Sequence, residues 1–159
     1  MQVELNPDWK FVADDVMGAK SNGGMSREIF QGRNAAVLRG DVSLDSNGGF
    51  IQIAFDLLAD GAGFDASEWD RVELDVWGNG ERYDVRLRTD QLTRPWQSFR
   101  KEFATTQQWQ VLRVPFDAVV PHKTDAFFDP ANLRRIGVLA VGREFRAELA
   151  VANVKLYHR

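Results

Sequence analysis

The chain predicts an all-β protein, an antiparallel β-sandwich, and three observations carry that expectation. Apolar residues alternate with polar ones far more often than they recur at helical spacing. Clusters of Gly, Asn and Asp punctuate the alternation at short intervals, as turns between strands require. Length and composition suit one globular unit with a sizeable core, since 159 residues carry 44% apolar and 27% charged side chains. A single domain over 1–159 is the simplest organisation.

Taken in order, "FQGRNA" and "DSNGGF" read as turns. Ile51, Ile53, Phe55 and Leu57 then alternate with Gln52, Ala54 and Asp56. Val72, Leu74 and Val76 alternate with Glu73, Asp75 and Trp77, and Tyr83, Val85, Leu87 and Thr89 alternate with Asp84, Arg86, Arg88 and Asp90. The intervening "GNGE" is a strong hairpin signal, because Gly and Asn tolerate the positive φ of primed turns. Phe99 and Phe103 mark another strand, and Leu112, Val114 and Phe116 share one face of "WQVLRVPF". Pro115 ends its strand or lies on a sheet edge, where a missing N–H costs little. "RIGVLAVG" and "AELAVANVKLYHR" supply the last strands. Helix is expected only in short pieces, around Asp117–Val120 and Pro130–Arg134. About nine or ten strands with short turns imply two packed antiparallel sheets.

Charge and cysteine usage narrow the function. Twenty basic against 23 acidic residues give a net charge of −3, which offers no general attraction for nucleic acid or anionic membrane. No apolar run approaches the roughly 20 residues that span a bilayer, so no membrane insertion is expected. "MQVELNPDWK" has neither a basic n-region nor an apolar h-region, which makes a cytoplasmic location the default expectation. With no cysteine, disulfides, thiolate metal sites and cysteine nucleophiles are excluded.

Catalytic patterns are missing. His122, read as a loop residue, and His158, beside the C-terminus, are the only histidines, and neither H-E-x-x-H nor G-x-S-x-G occurs. Gly18, Gly23 and Gly24 lack the G-K-[ST] and the helix of a phosphate loop, and backbone conformation accounts for them. Carboxylates are plentiful enough to leave a pair of the glycosidase kind open, but surface strands always present carboxylates, which argues against it. "RGD" at 39–41 falls within strand alternation, so chance explains it. The expectation is a binding protein without enzymatic activity, metal or cofactor.

Two places are candidates for binding. In "VADDVMGAKSNGGMS", adjacent Asp14 and Asp15 point to opposite faces of any regular strand. They cap the turn that follows, hold a calcium ion if the chain bends, or touch a ligand; the first is the ordinary role of this side chain. The second candidate is a polar sheet face. If Val72/Leu74/Val76 and Tyr83/Val85/Leu87 face the core, then Asp75, Trp77, Asp84, Arg86 and Arg88 share the opposite face. Arg100, Glu102 and Arg113 join them from neighbouring strands. Such a face is either a solvated one, with cross-strand ion pairs worth at most about 1 kcal/mol each, or a recognition surface with Trp77 and Trp96 as stacking platforms. Two classes of ligand remain, a protein partner or a carbohydrate or other small ligand.

Several segments together resemble one family. "DDVMGAKS" is similar to the D-D-V-M-G-G-x-S signature of the complex I intermediate-associated protein 30 (CIA30) family. Phe30, Gly32, Gly48, Gly49 and Phe50 follow its F-x-G and G-G-F arrangement, and "WGNGERYDVRLRT" resembles its G-D-G-x-x-Y-x-x-x-L-R-T hairpin. Trp109, Pro115 and Phe116 fit its W-x-x-x-x-x-P-F segment, and "FDPANLRRIGVLA" matches the lead into a late strand. The match runs in order from about Trp9 to Tyr157. The resemblance implies a galactose-binding-like jelly roll. It implies a non-catalytic domain, like the mitochondrial members that act as assembly chaperones for NADH:ubiquinone oxidoreductase. Ala19 stands where the family usually has a second glycine, and a positive φ there would strain alanine by about 1 kcal/mol.

Overall fold

A computed structural model describes residues 2–13, 22–43 and 49–159. Asp14, Asp15, Ala19 and most of the "DSNGGF" turn lie outside the described residues. The described strands are β1 (Gln2–Glu4), β2 (Lys10–Ala13), β3 (Asn22–Phe30), β4 (Arg33–Val42), β5 (Phe50–Asp56) and β6 (Arg71–Gly78). They continue with β7 (Arg82–Thr89), β8 (Ser98–Ala104), β9 (Gln110–Pro115), β10 (Val120–His122), β11 (Leu133–Val141) and β12 (Phe145–Tyr157). Every pairing is antiparallel. The first sheet runs β3-β4-β12-β6-β9, with β1 alongside the end of β12, and the second runs β10-β8-β7-β11-β5-β2. This is the expected sandwich. No helix among the described residues is long and apolar enough to cross a membrane.

Period-two patterning places the core correctly. Val72, Leu74 and Val76 face Ile51, Ile53, Tyr83, Val85, Leu87, Ile136 and Val138 in one buried cluster, most with no exposed surface. Trp9 packs edge-on against Phe55 with ring centroids 4.8 Å apart. The "FQGRNA" turn is a two-residue hairpin between β3 and β4, with Gln31 at φ 47° and Gly32 at φ 82° bridging the Phe30–Arg33 pair. Two consecutive positive φ values match the twist of the flanking strands. Pro115 closes β9, the edge strand of the first sheet, satisfying both expectations for it.

Several details refine or correct the sequence reading. The described strands number twelve, above the expected nine or ten, because three-residue elements such as β1 and β10 are too short to show alternation. The short helical pieces are single 3-10 turns at Phe116–Ala118 and Pro130–Asn132, and His122 ends β10 instead of lying in a loop. Gly23 and Gly24 belong to β3, where a Cβ at Gly23 would fall on the carbonyl of Arg39. The largest correction concerns "GNGE", which is not a hairpin. β6 pairs with β9 and β12 while β7 pairs with β8 and β11, so residues 78–81 carry the chain from one sheet to the other.

That crossover is tightly built. A Cβ at Gly78 would fall on Thr105, whose hydroxyl donates to Glu81 O at 2.8 Å while Gly78 N–H donates to Thr106 O at 3.0 Å. The buried Tyr83 hydroxyl donates to Asn79 Oδ1 at 2.6 Å and accepts from Glu148 N–H at 3.1 Å. The same glycine and asparagine that suit a primed turn thus serve a close approach between two arches.

Candidate functional site

The crossover divides the polar residues that one face was expected to unite. Asp75, Trp77 and Arg113 lie on the outside of the first sheet, on β6 and β9. Trp77 is 8% exposed and meets Phe30 edge-on at 4.8 Å, in an outer apolar cluster with Val37, Ala150 and Trp109. It therefore presents no open ring to a ligand. Asp75 accepts from Arg33 and from Asn153, each at 2.8 Å, and the Arg33 guanidinium lies 5.0 Å from the Trp109 ring centroid. Arg113 stands 3.5 Å from the nearly buried Glu73. These groups cover a second small core.

The outside of the second sheet forms a groove of about 910 Å³. Asp84, Arg86, Arg88 and Arg100 all line it, with Trp96 at the rim. Strand register explains the pairing inside it. Asp84 lies opposite Glu102, and Arg86 opposite Arg100, which sets like charges side by side. The arginines resolve this by leaning onto Asp84. Arg86 donates from Nε and Nη2 at 3.1 and 2.9 Å, and Arg100 from Nε and Nη2 at 2.9 and 3.0 Å. Asp84 has a side chain only 3% exposed, so four charge-assisted bonds compensate the burial of its charge. Hydrogen bonding to Asp84 in turn raises the Arg100 guanidinium above its ordinary range.

Around this floor the sequence reading missed several contributors. Gln52 and Leu139 flank it from β5 and β11. Arg82 meets Glu102 at 3.1 Å, Arg143 meets Glu81 at 2.7 Å, and Arg135 meets Asp56 at 2.8 Å. His122 also lines the groove; burial, then the positive Arg86, Arg100 and Lys123, holds its imidazole below the ordinary value. The signal available in the sequence was Arg134-Arg135, two charges breaking into an apolar strand, but which face they take depends on register.

The rim loop is set by its own hydrogen bonds. Gln97 accepts through its side-chain oxygen from Thr93 and Arg94 N–H at 3.2 and 3.0 Å, and Arg88 Nη1 donates to Pro95 O at 2.8 Å. Trp96 between them is 56% exposed, with the Arg94 guanidinium 5.9 Å from its ring. Trp96 thus presents an exposed indole on a loop held by hydrogen bonds at the edge of the polar groove. Among the described residues no group of three or more metal-ligating side chains gathers.

A sandwich with a lined groove on one sheet is the form of a binding module. The chain belongs to the family described as complex I intermediate-associated protein 30 (CIA30), whose model matches residues 2–151. No curated protein sequence matches significantly. Among solved structures it is similar to a family 11 carbohydrate-binding module from Clostridium thermocellum in complex with a β-1,3-1,4-mixed-linked tetrasaccharide. That likeness has 14% identity and a TM-score of 0.74, covering 99% of this chain and 95% of that one. The family 11 module of the same organism's cellulosomal cellulase Lic26A-Cel5E gives 15% identity and 0.75, over 100% and 95%. A family 30 module of its cellulase Cel9D-Cel44B gives 13% and 0.69, over 100% and 98%. At such identities the likeness concerns the fold. Family and fold are both of the binding-module type.

Proposed function

We propose that this chain is a non-catalytic protein-recognition module whose groove on the second sheet receives an extended segment of a partner polypeptide. The observation that carries this is the make-up of the groove: six arginines to one lysine, with an exposed tryptophan at the rim. Protein interfaces are enriched in Arg and Trp and poor in Lys, because a planar, weakly hydrated guanidinium is less costly to desolvate and binds in two directions. The family description supports an assembly role, in which the partner is a subunit of NADH:ubiquinone oxidoreductase held before incorporation. Affinity capture from the native cell with the unaltered chain and with Trp96→Ala, followed by mass spectrometry, tests it. Proteins captured by the first and lost by the second support the reading; identical captures from both sink it.

A second reading is recognition of carbohydrate. It is favoured by the open Trp96 ring, which sugars stack upon, by Gln52 and Gln97 among the groove's lining side chains, and by the likeness to the two families of carbohydrate-binding modules. A glycan array and thermal-shift screen that includes mixed-linked β-glucan oligosaccharides decides it, and absence of both binding and stabilisation removes it.

A further inference from the structure

The groove is charged against the chain that carries it. Seven Lys and Arg against three Asp and Glu line it, a balance of 7 − 3 = +4, in a chain whose net charge is −3. Most of these cations have a carboxylate partner. Two have none among the described residues, the exposed Lys123 and, at one end, the half-buried Arg88. Arg88 stands opposite Arg135 in the β7–β11 register, and Arg135 turns to Asp56, its opposite on β5. Arg88 is left with the carbonyl of Pro95, and no carboxylate among the described residues reaches it. Burial, and then the neighbouring Arg134 and Arg135, lower its proton affinity against the weaker opposing pull of Asp56.

A second observation falls at the same place. Ser98 lines the groove, is 4% exposed, and its hydroxyl has no hydrogen-bond partner among the described residues. Ser98 and Arg88 are the next residues along β8 and β7 from the paired Phe99 and Leu87, so they are neighbours across the two strands. A buried hydroxyl without a partner is uncommon, because it forfeits the hydrogen bond it makes in water. Guanidinium N–H groups and a hydroxyl donor together match the two oxygens of a carboxylate.

We propose that Arg88, Arg135 and Ser98, beside the Trp96 ring, form a carboxylate-binding subsite, and that the polypeptide segment taken by the groove is acidic. This rests on the reading of the groove as a protein-recognition site and supplies the chemistry of the partner. The six steps from Arg82 to Arg88 span about 20 Å at ~3.3 Å each, room for several side chains of an extended segment. The positive field steers such a segment in, and Arg88 gives it a fixed point.

Fluorescence anisotropy with a fluorescein-labelled oligoglutamate peptide, set against oligoglutamine of the same length, tests the assignment. Oligoglutamate is expected to bind and oligoglutamine not. Arg88→Gln weakens binding about tenfold, the loss of one charge-assisted contact. Ser98→Ala weakens it by a smaller factor, and Arg27→Gln on the first sheet leaves it unchanged. Thermal melting shows whether each variant is folded; should Arg88→Gln fail, Arg88→Lys and Ser98→Ala carry the test, since Lys keeps the charge without the planar fork. Equal binding of the two peptides, or equal losses from Arg88→Gln and Arg27→Gln, overturns the subsite. Tighter binding of an oligogalacturonate than of oligoglutamate overturns the polypeptide assignment. The probe needs no native partner, so a capture experiment that fails while oligoglutamate binds removes the assembly reading alone.

Discussion

Replacing Asp84 by Asn tests whether the floor of the groove is organised as described. The substitution keeps shape and volume but removes the charge that two guanidinium groups share. Asp84 accepts four N–H bonds, whereas an asparagine offers one acceptor oxygen and turns an NH2 toward a donor. Breaking a buried ion pair by removing one partner costs roughly 3–5 kcal/mol when the remaining charge stays buried. Here the side chains of Arg86 and Arg100 are 17% and 33% exposed and can turn partly to water. The expected loss is therefore about 2–3 kcal/mol, or about 4–12 °C in Tm for a domain of this size. Thermal and urea unfolding followed by circular dichroism measure it, with an unchanged urea slope confirming that the folded state alone was altered. A Tm within about 1 °C of the parent would show that water already screens the Asp84 pairs and that strand register does not hold the floor.

Gly78→Ala places a methyl group on Thr105 and is expected to destabilise by about 1–3 kcal/mol; a double variant with Thr105→Gly recovers part of the loss in the same melts. Trp77→Ala empties the outer cluster of Phe30, Val37 and Trp109, at about 3–5 kcal/mol. Its groove is untouched, so oligoglutamate affinity measured below the melting range stays at the parent value. His122 has a lowered pKa in the folded chain, so the unfolded chain takes up a proton first as pH falls through the ordinary 6.5. Stability from this group is present above that value and lost below it. His122→Gln is therefore expected to flatten the fall in Tm between about pH 7.5 and 5.5.

How much of this was legible can be followed at particular residues. Ile51, Ile53 and Phe55, or Tyr83, Val85 and Leu87, declare their inward face by alternation, because successive strand side chains point to opposite sides. Alternation equally put Asp84, Arg86 and Arg88 outside, and those three do line the groove. It could not tell that Asp75 and Trp77 lie outside a different sheet. "GNGE" carries the backbone freedom of a primed turn, and nothing local distinguishes a hairpin from a crossover between sheets. Arg135 and Gln52 were missed for a related reason, since they join the groove only through the pairing of β11 with β5 and β7.

The sequence by itself determined the sandwich, the inward residues of its strands, the β3–β4 turn and the family. These follow from forces that act within a few residues, namely side-chain alternation, turn chemistry and a short signature. Only the tertiary structure decided which sheet each strand enters, and with it which charges meet. Strand partners are chosen by contacts between residues as far apart as Arg135 and Asp56. The energy of those contacts exists only once the two layers have closed.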